Sequence, residues 1–308
     1  MKFKTPSKRQ LKKDKKLLKK FKFNQVIDSP VDERDYTLER AILLQNNDAS
    51  VQQPNRSQLI SDLPQEYESE ELPILNQGSV GSCVAHALAS ALRAGEDANK
   101  FKHNNYSRGY IYGNRKSTDT QQEGMVIREA LSQLHHCGDV YHNDFPYNLK
   151  YPSVKDLIAK RQDELAQLAL PHATVAYYRC YTIQEIKQSI MINGCAIVSV
   201  TVYSDFARDL HPTQTHESNG RHCMIIVGWT KDNKWIVQNS WGRGWGYQGK
   251  LLMDFDYPTN EVWGMVVHDG EMREDIKESK WIRFCEAIKG ICKIIKIWII
   301  DIFSKKKK

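Results

Sequence analysis

Cys83 follows a glycine-rich stretch and opens a segment rich in alanine and leucine, which is typical of a helix. The stretch reads Gln77-Gly78-Ser79-Val80-Gly81-Ser82-Cys83. A cysteine in the first turn of a helix faces the positive end of the helix dipole and unpaired backbone N–H groups, and both favour the thiolate. The glycines allow a tight turn and a close approach of the backbone to a ligand. These residues predict a cysteine nucleophile; an inert buried cysteine at a helix start is the alternative.

A thiolate nucleophile requires a base, and the base requires a group that orients it. His222 stands at the start of an apolar run, and Asn239 ends the next one. We expect Asn239 to accept the ring N–H of His222 and so fix the tautomer of the base. Trp241 would shield this hydrogen bond from water. Gln77, six residues before Cys83, would complete an oxyanion hole with the Cys83 N–H.

Other histidines and cysteines of the chain are interpreted as packing or surface residues. His86 lies three residues along the same predicted helix and would point away from Cys83, as a core or interface histidine. Cys223 is interpreted as a small packed residue. His211 and His216 fall in a polar loop, and the adjacent residues 135–137 read as a solvated helix end, since neighbours in sequence rarely share one metal.

The elements that must position these residues change in type along the chain. Helical patterns are predicted at 83–94, 126–136, 154–169 and 183–193, the first stopped by Gly95 and capped by Ser82. Short strands are predicted at 196–202, 224–227, 234–238, 250–253 and 262–267. Helices first and strands later indicate an α+β protein with two segregated lobes, and a cleft between such lobes is a usual place for an active site.

Charge is distributed unevenly over the 308 residues. Residues 1–22 contain eleven lysines and arginines and one acid, and residues 276–308 contain ten basic residues and three acids. We therefore predict three regions: a basic N-terminal arm with an extended lead-in (1–71), a folded domain (72–270) and a basic C-terminal tail (271–308). The arm is interpreted as a solvated segment, with contact to nucleic acid or another polyanion as the alternative.

The C-terminal tail has the pattern of a basic amphipathic helix. Its large apolar residues from Trp281 to Ile302 recur at steps of three and four, with lysines between them. Such a helix binds an anionic membrane surface or a partner protein, or docks on the protein's own body. No signal peptide or spanning segment is recognised, and seven widely spaced cysteines do not form a disulfide framework. We expect a cytoplasmic or other reducing intracellular compartment, with the protein peripheral to a membrane if the tail binds one.

Together, the stretch QGSVGSC, a histidine opening an apolar strand and the stretch NSWGRGWG resemble the papain-like cysteine peptidases. His222 follows Cys83 by 139 residues and Asn239 follows it by 156, compared with about 130–150 in such enzymes. The resemblance extends from Leu72 to Val267. It implies a papain-like two-lobe α+β fold, with a helical lobe, an antiparallel β-barrel-like lobe and the active-site cleft between them.

The resemblance also implies roles for four residues and a type of reaction. Cys83 would be the nucleophile, His222 the base, Asn239 the orienting group and Gln77 an oxyanion donor. The implied reaction is hydrolysis of a polypeptide through a thioester, without a metal or organic cofactor, and we expect an endopeptidase. Alternatives are an acyltransferase or deconjugating enzyme with the same thioester, and a catalytically inactive scaffold.

The sequence departs from the family pattern at two positions near the nucleophile. Val84 stands where the family usually has tryptophan, and Val80 stands where it has a cysteine, so that disulfide cannot form. There is no clear match to the long helical inhibitory propeptide of secreted members. Residues 28–36 instead resemble the lead-in of some microbial, non-secreted members, which leaves latency and self-activation open.

Overall fold

A computed structural model describes residues 7–18, 26–30, 32, 35–46, 62–100, 104–116, 123–146, 153–203, 206, 209–211 and 218–267. The chain divides into two compact units, Met1–Gly270 and Glu271–Lys308, and every described residue belongs to the first. The predicted C-terminal amphipathic helix lies outside the described residues and stays a prediction. No helix among the described residues is long and apolar enough to cross a membrane.

Eight α-helices are found in the described part of the chain. They are α1 (Lys8–Leu18), α2 (Leu38–Asn46), α3 (Cys83–Ala98), α4 (Arg108–Gly113), α5 (Ile127–Cys137), α6 (Ser153–Lys160), α7 (Gln162–Ala169) and α8 (Ile183–Asn193). A 3₁₀ turn, Leu170–His172, follows α7. Helices α3 to α7 form the helical lobe, whose smaller core packs α4 against α6 and α7.

The strands follow mainly in the second half of the described chain. They are β1 (Val26–Ile27), β2 (Tyr67–Glu68), β3 (Met125–Val126), β4 (Ala176–Arg179), β5 (Ala196–Tyr203), β6 (Asp209–Leu210), β7 (Ser218–Trp229), β8 (Lys234–Gln238), β9 (Lys250–Asp254) and β10 (Thr259–Val266). The main sheet has the order β4-β10-β5-β7-β8-β9-β6, and β2 pairs with β7. Its pairings are antiparallel except β6 with β9.

This arrangement of helices and a mostly antiparallel sheet confirms the α+β class predicted from the sequence. The described strands follow an open path, however, and do not close into a barrel. The alternation of side chains along β5 and β7 puts two apolar surfaces on the sheet. One surface packs against α3, and the opposite surface packs a second core that includes residues of α2 and α8. The start of α3 therefore lies where the helical lobe meets the sheet, facing β7.

Helix α3 runs past the glycine that was predicted to stop it. A Cβ added to Gly95 would lie 2.7 Å from a methyl carbon of Val267, so the glycine serves close packing inside the helix rather than its end. Ser82 stands at the N-cap position, but its side chain makes no capping hydrogen bond. Its hydroxyl instead lies 3.2 Å from Nδ1 of His86. Both predictions rested on local preference, which tertiary contacts override here.

The predicted helix 154–169 is two helices, α6 and α7. Arg161 leaves the helical conformation between them. Its guanidinium donates to the carbonyl oxygen of Asp144 and to the carboxylate of Glu164. The apolar residues of 154–169 keep a helical spacing throughout, so the sequence gives no sign that the helix is interrupted at Arg161. The predicted helix 183–193 matches α8, where Thr182 and Glu185 form a capping box.

The N-terminal region packs on the folded domain at three places. Gln10 of α1 donates to the carbonyl oxygen of Gly244 at 3.1 Å. Strand β1 pairs in parallel with β3 at the start of α5. Helix α2 packs on β4 and β10, with Leu38 buried in the second core. The described basic side chains of α1 point into solvent, and contact of the arm with a polyanion stays a prediction.

Candidate active site

Cys83 begins α3 and is fully buried. Gly78 has a φ of +60°, so the loop before the helix makes the turn that its glycines predicted. The N–H of Val80 lies 3.4 Å from the carbonyl oxygen of Gln77, and the N–H of Ser82 donates to that of Val80 at 2.8 Å. This compact loop sets the sulfur against the backbone N–H of Cys223, the residue after His222.

The protonation state of the thiol differs from the sequence expectation. Burial raises the pKa of Cys83 to about 11, while hydrogen bonds from the backbone N–H groups of Cys223 and Val84 oppose the rise. The sequence predicted a thiolate favoured by the helix start. In the structure desolvation outweighs those N–H groups, because removing water penalises the charged form.

His222 lies on β7 and is joined to Asn239, which follows β8. The ring Nε2 lies 2.8 Å from Oδ1 of Asn239. The backbone N–H of Ser240 donates to the same oxygen at 2.7 Å, which identifies that atom as the amide oxygen. An oxygen acceptor requires the proton on Nε2, so Nδ1 is the ring nitrogen that can take up a proton. Burial lowers the pKa of His222 to about 4, opposed by the bond to Asn239.

Aromatic rings enclose this hydrogen bond. Trp241 stacks on the His222 ring with centroids 4.7 Å apart and an interplanar angle of 27°. Phe206 meets the His222 ring edge-on at 6.5 Å and also contacts Trp241. Trp245 packs against both Trp241 and Phe206. Since all three rings are buried, they exclude water from the His222–Asn239 bond and strengthen it.

Gln77 is held by the segment that also carries Asn239. Its backbone N–H donates to the carbonyl oxygen of Ser240 at 2.9 Å. Its side-chain oxygen accepts the Ser240 hydroxyl at 2.6 Å. Its side-chain nitrogen donates to the carbonyl oxygen of Val80 at 3.0 Å, across the loop that leads to Cys83. The amide nitrogen is thereby fixed on the nucleophile loop, with its oxygen turned towards Ser240.

The structure brings the four predicted residues into one buried region. Hydrogen bonds run from Gln77 through Ser240 to Asn239 and His222, and the Cys83 sulfur lies against the peptide that follows His222. The arrangement brings together a thiol, an oriented imidazole and amide groups, which are the kinds of group that acyl transfer requires.

The other histidines and cysteines singled out in the sequence differ in burial and in partners. His86 is buried, with Nδ1 2.8 Å from the carbonyl oxygen of Ser82, and burial lowers its pKa to about 3. Cys223 is buried in the same core as Cys83. His211 is exposed, with Nδ1 2.7 Å from a carboxylate oxygen of Asp254. His216 lies outside the described residues.

Sequence reasoning missed two contributors to the site, Ser240 and Phe206, and a long-range contact of the residue that precedes His222. Ser240 was passed over, although it stands between Asn239 and Trp241 and its small hydroxyl side chain is compatible with a positioning role. Phe206 comes from a polar stretch with no strong pattern. Arg221 immediately precedes His222 and forms an ion pair with Asp28 of the N-terminal region. That contact joins residues nearly two hundred positions apart, and no local signal predicts it.

Comparison with known proteins agrees with this geometry. Residues 63–262 match the model of the papain family of cysteine proteases. The chain therefore belongs to the papain family of cysteine proteases. This match covers the nucleophile loop, both lobes and the strand that carries His222.

Relatives of known sequence are distant. An uncharacterized peptidase C1-like protein of Acanthamoeba polyphaga mimivirus is 24% identical over 210 residues, which are 62% of this chain and 67% of that protein. Cathepsin B-like cysteine proteinase 1 of Haemonchus contortus is 26% identical over 121 residues. That match covers 37% of this chain and only 35% of the proteinase.

Solved structures share the fold. Xylellain, a cysteine protease from Xylella fastidiosa, superposes with a TM-score of 0.63 at 21% identity, covering 80% of this chain and 97% of that one. The structure of procathepsin B S9 from Trypanosoma congolense gives a TM-score of 0.58 at 16% identity, covering 82% of this chain and 89% of that one.

Proposed function

We propose that the protein is a cysteine endopeptidase that hydrolyses peptide bonds through a thioester on Cys83. The observation that carries the proposal is the buried chain of hydrogen bonds that joins Gln77, Ser240, Asn239 and His222 beside the Cys83 sulfur. Membership of the papain family supports it.

The proposed reaction begins when His222 takes the proton of Cys83 and the sulfur attacks the carbonyl carbon of the scissile amide. The oxyanion is stabilised by the side-chain amide of Gln77 and the backbone N–H of Cys83. Protonated His222 then gives its proton to the leaving amine, and the thioester forms. Neutral His222 next takes a proton from water, which attacks the thioester and releases the acid while the sulfur recovers its proton.

Asn239 acts through His222 in this scheme. Its oxygen holds the proton on Nε2 while Nδ1 accepts and returns the proton that moves. When the imidazole becomes charged, the same oxygen stabilises the cation, and the covering Trp241 ring keeps water from weakening that bond.

The test compares full-length wild-type protein with Cys83→Ala, His222→Ala and Asn239→Ala on a library of internally quenched peptides. We expect Cys83→Ala and His222→Ala to abolish turnover and Asn239→Ala to lower kcat by about 10- to 100-fold. The exposed residues Cys137 and His211 provide matched controls, Cys137→Ala and His211→Ala, which should keep wild-type rates.

The same experiment separates the alternatives. Turnover by the Cys83→Ala protein would overturn the assignment of the nucleophile. Product that carries an added amine, in preference to the free acid, would indicate an acyltransferase. If the wild-type protein neither hydrolyses peptides nor reacts with an epoxide inhibitor that requires an activated thiolate, the proposal is wrong and the inactive scaffold replaces it.

A further inference from the structure

Strand β1 lies against β3, at the start of α5, and near β7. Val26 and Ile27 pair with Met125 and Val126 of β3, and β1 also contacts β7, the strand that carries His222. The Val26 side chain is buried in the core that contains Cys83, whereas Ile27 is 40% exposed. An extended segment with alternating buried and exposed side chains, paired to a strand edge, is a general mode of peptide recognition.

The residue after β1 reaches the neighbour of the proposed base. Asp28 forms an ion pair with Arg221, which directly precedes His222 on β7. The Arg221 side chain is 34% exposed and the Asp28 side chain 52% exposed. Solvent therefore reaches the site of this contact even though Cys83 and His222 are buried.

A second ion pair differs from this one in burial. Arg128 donates Nε to one carboxylate oxygen of Asp35 at 2.7 Å and a second N–H to the other, and the two side chains are only 13% and 7% exposed. Nearby, the backbone N–H of Arg128 donates to the Ser29 hydroxyl at 3.2 Å. These contacts anchor the N-terminal region. The half-exposed pair of Arg221 with Asp28 contributes little to stability, because surface ion pairs are screened.

We propose that Arg221 is a specificity residue of the peptidase proposed above, and that it binds a carboxylate side chain of the substrate residue that takes the place of Asp28. Guanidinium groups match carboxylates in shape and charge, so another carboxylate exchanges for Asp28 at little cost. Val26 and Asp28 are separated by one residue of an extended segment. The substrate class is therefore a polypeptide with an acidic residue and a small β-branched apolar residue spaced in that way.

The test uses the full chain with Asp28→Asn, which leaves Arg221 unoccupied. Pairs of quenched peptides that differ only by aspartate or asparagine at one position are compared by kcat/KM, with valine placed two residues to either side. We expect one position at which aspartate is preferred by about two- to fivefold, the range that a half-exposed ion pair supplies. Adding Arg221→Gln should remove this preference by bringing kcat/KM for the aspartate peptide to that for the asparagine peptide.

Three further variants make the result decisive. Arg161→Gln removes another partly exposed, ion-paired arginine far along the helical lobe and should leave the preference unchanged. Arg221→Glu should reverse it in favour of lysine. If Arg221→Gln fails to fold, Arg221→Lys keeps the charge and should retain part of the preference.

An equal aspartate preference with and without Arg221, or no preference at any position, overturns the role of Arg221 while the peptidase assignment stands. Absence of hydrolysis by every variant overturns the proposed function, and the inference with it.

Discussion

At the scale of single residues, burial decides the resting state of the proposed catalytic pair. The thiol of Cys83 has a pKa of about 11 and the imidazole of His222 a pKa of about 4, both displaced by desolvation. Near pH 7 the pair is therefore neutral, thiol beside imidazole. Charge separation requires water or substrate dipoles to reach the two groups, since the buried environment disfavours both ions.

This resting state predicts how Cys83 reacts with iodoacetamide. A thiol with a pKa of about 11 is ionised in about one molecule in ten thousand at pH 7. We expect the alkylation rate of Cys83, followed by peptide mass mapping of the full chain, to rise about tenfold for each pH unit between 7 and 9. A rate that is already high at pH 6 and flat above it would show a preformed ion pair and contradict the prediction.

The proximity of the four candidate residues could be predicted because they stand in recognisable stretches: a glycine-rich turn that joins Gln77 to Cys83, an apolar strand that carries His222, and the NSW stretch that begins with Asn239. Their catalytic roles stay a prediction. Their protonation could not be predicted, because it depends on burial. The role of Ser240 also required the structure, since its hydroxyl reaches Gln77 across 163 positions of sequence.

At the scale of elements, the end of α3 contains a carboxyl group with an unusual pKa. Glu96 is buried, and it accepts the Tyr106 hydroxyl at 2.6 Å and the Asn104 backbone N–H at 3.2 Å. Burial raises the pKa of Glu96 from 4.5 to about 7, although the two hydrogen bonds favour the charged form and so lower it. The contact ties α3 to the chain that leads into α4.

This carboxyl group makes stability depend on pH. The folded protein keeps the Glu96 proton up to about pH 7, whereas the unfolded chain releases it near 4.5, so the free energy of unfolding falls as pH rises through this interval. We expect a loss of the order of 1–3 kcal/mol, absent in Glu96→Gln. Urea unfolding at pH 5 and pH 8 measures it, with exposed Glu66→Gln as the control. Equal pH dependence in wild type and Glu96→Gln would show that another group is responsible.

Most helices and strands of the folded domain could be predicted from the spacing of their apolar residues, and each error has a local cause. Gly95 reads as a helix end because glycine favours such positions, but here it makes room for Val267. The break between α6 and α7 lies at Arg161, whose side chain donates to the carbonyl oxygen of Asp144. The spacing of apolar residues contains no information about such a polar contact. Strands β1 and β3 were missed because two residues give no pattern.

At the scale of the whole molecule, an ion pair with little exposure to solvent helps to hold the N-terminal region on the folded domain. The side chains of Arg128 and Asp35 meet at the start of α5, although they are far apart in sequence. A largely buried charge that loses its partner is destabilising, so this contact is one of the anchors of β1 and α2.

Replacing Asp35 with asparagine should release this region without unfolding the domain. We expect faster hydrogen exchange at β1 and β3, because Val26 and Ile27 then pair less stably with Met125 and Val126. Mass spectrometry of the exchanged full chain measures the effect. Asp232→Asn, in the exposed turn between β7 and β8, is the control. Unchanged exchange at β1 in Asp35→Asn would show that other contacts suffice to hold the region.

Because Asp28 and Arg221 belong to one polymer, a substrate carboxylate that takes the place of Asp28 competes with a group that never diffuses away. A tether of this kind presents its carboxylate at an effective concentration of about millimolar. Dilute substrates would then all be slowed by the same factor, and only saturating substrate would bring every rate to the frequency at which Asp28 leaves Arg221.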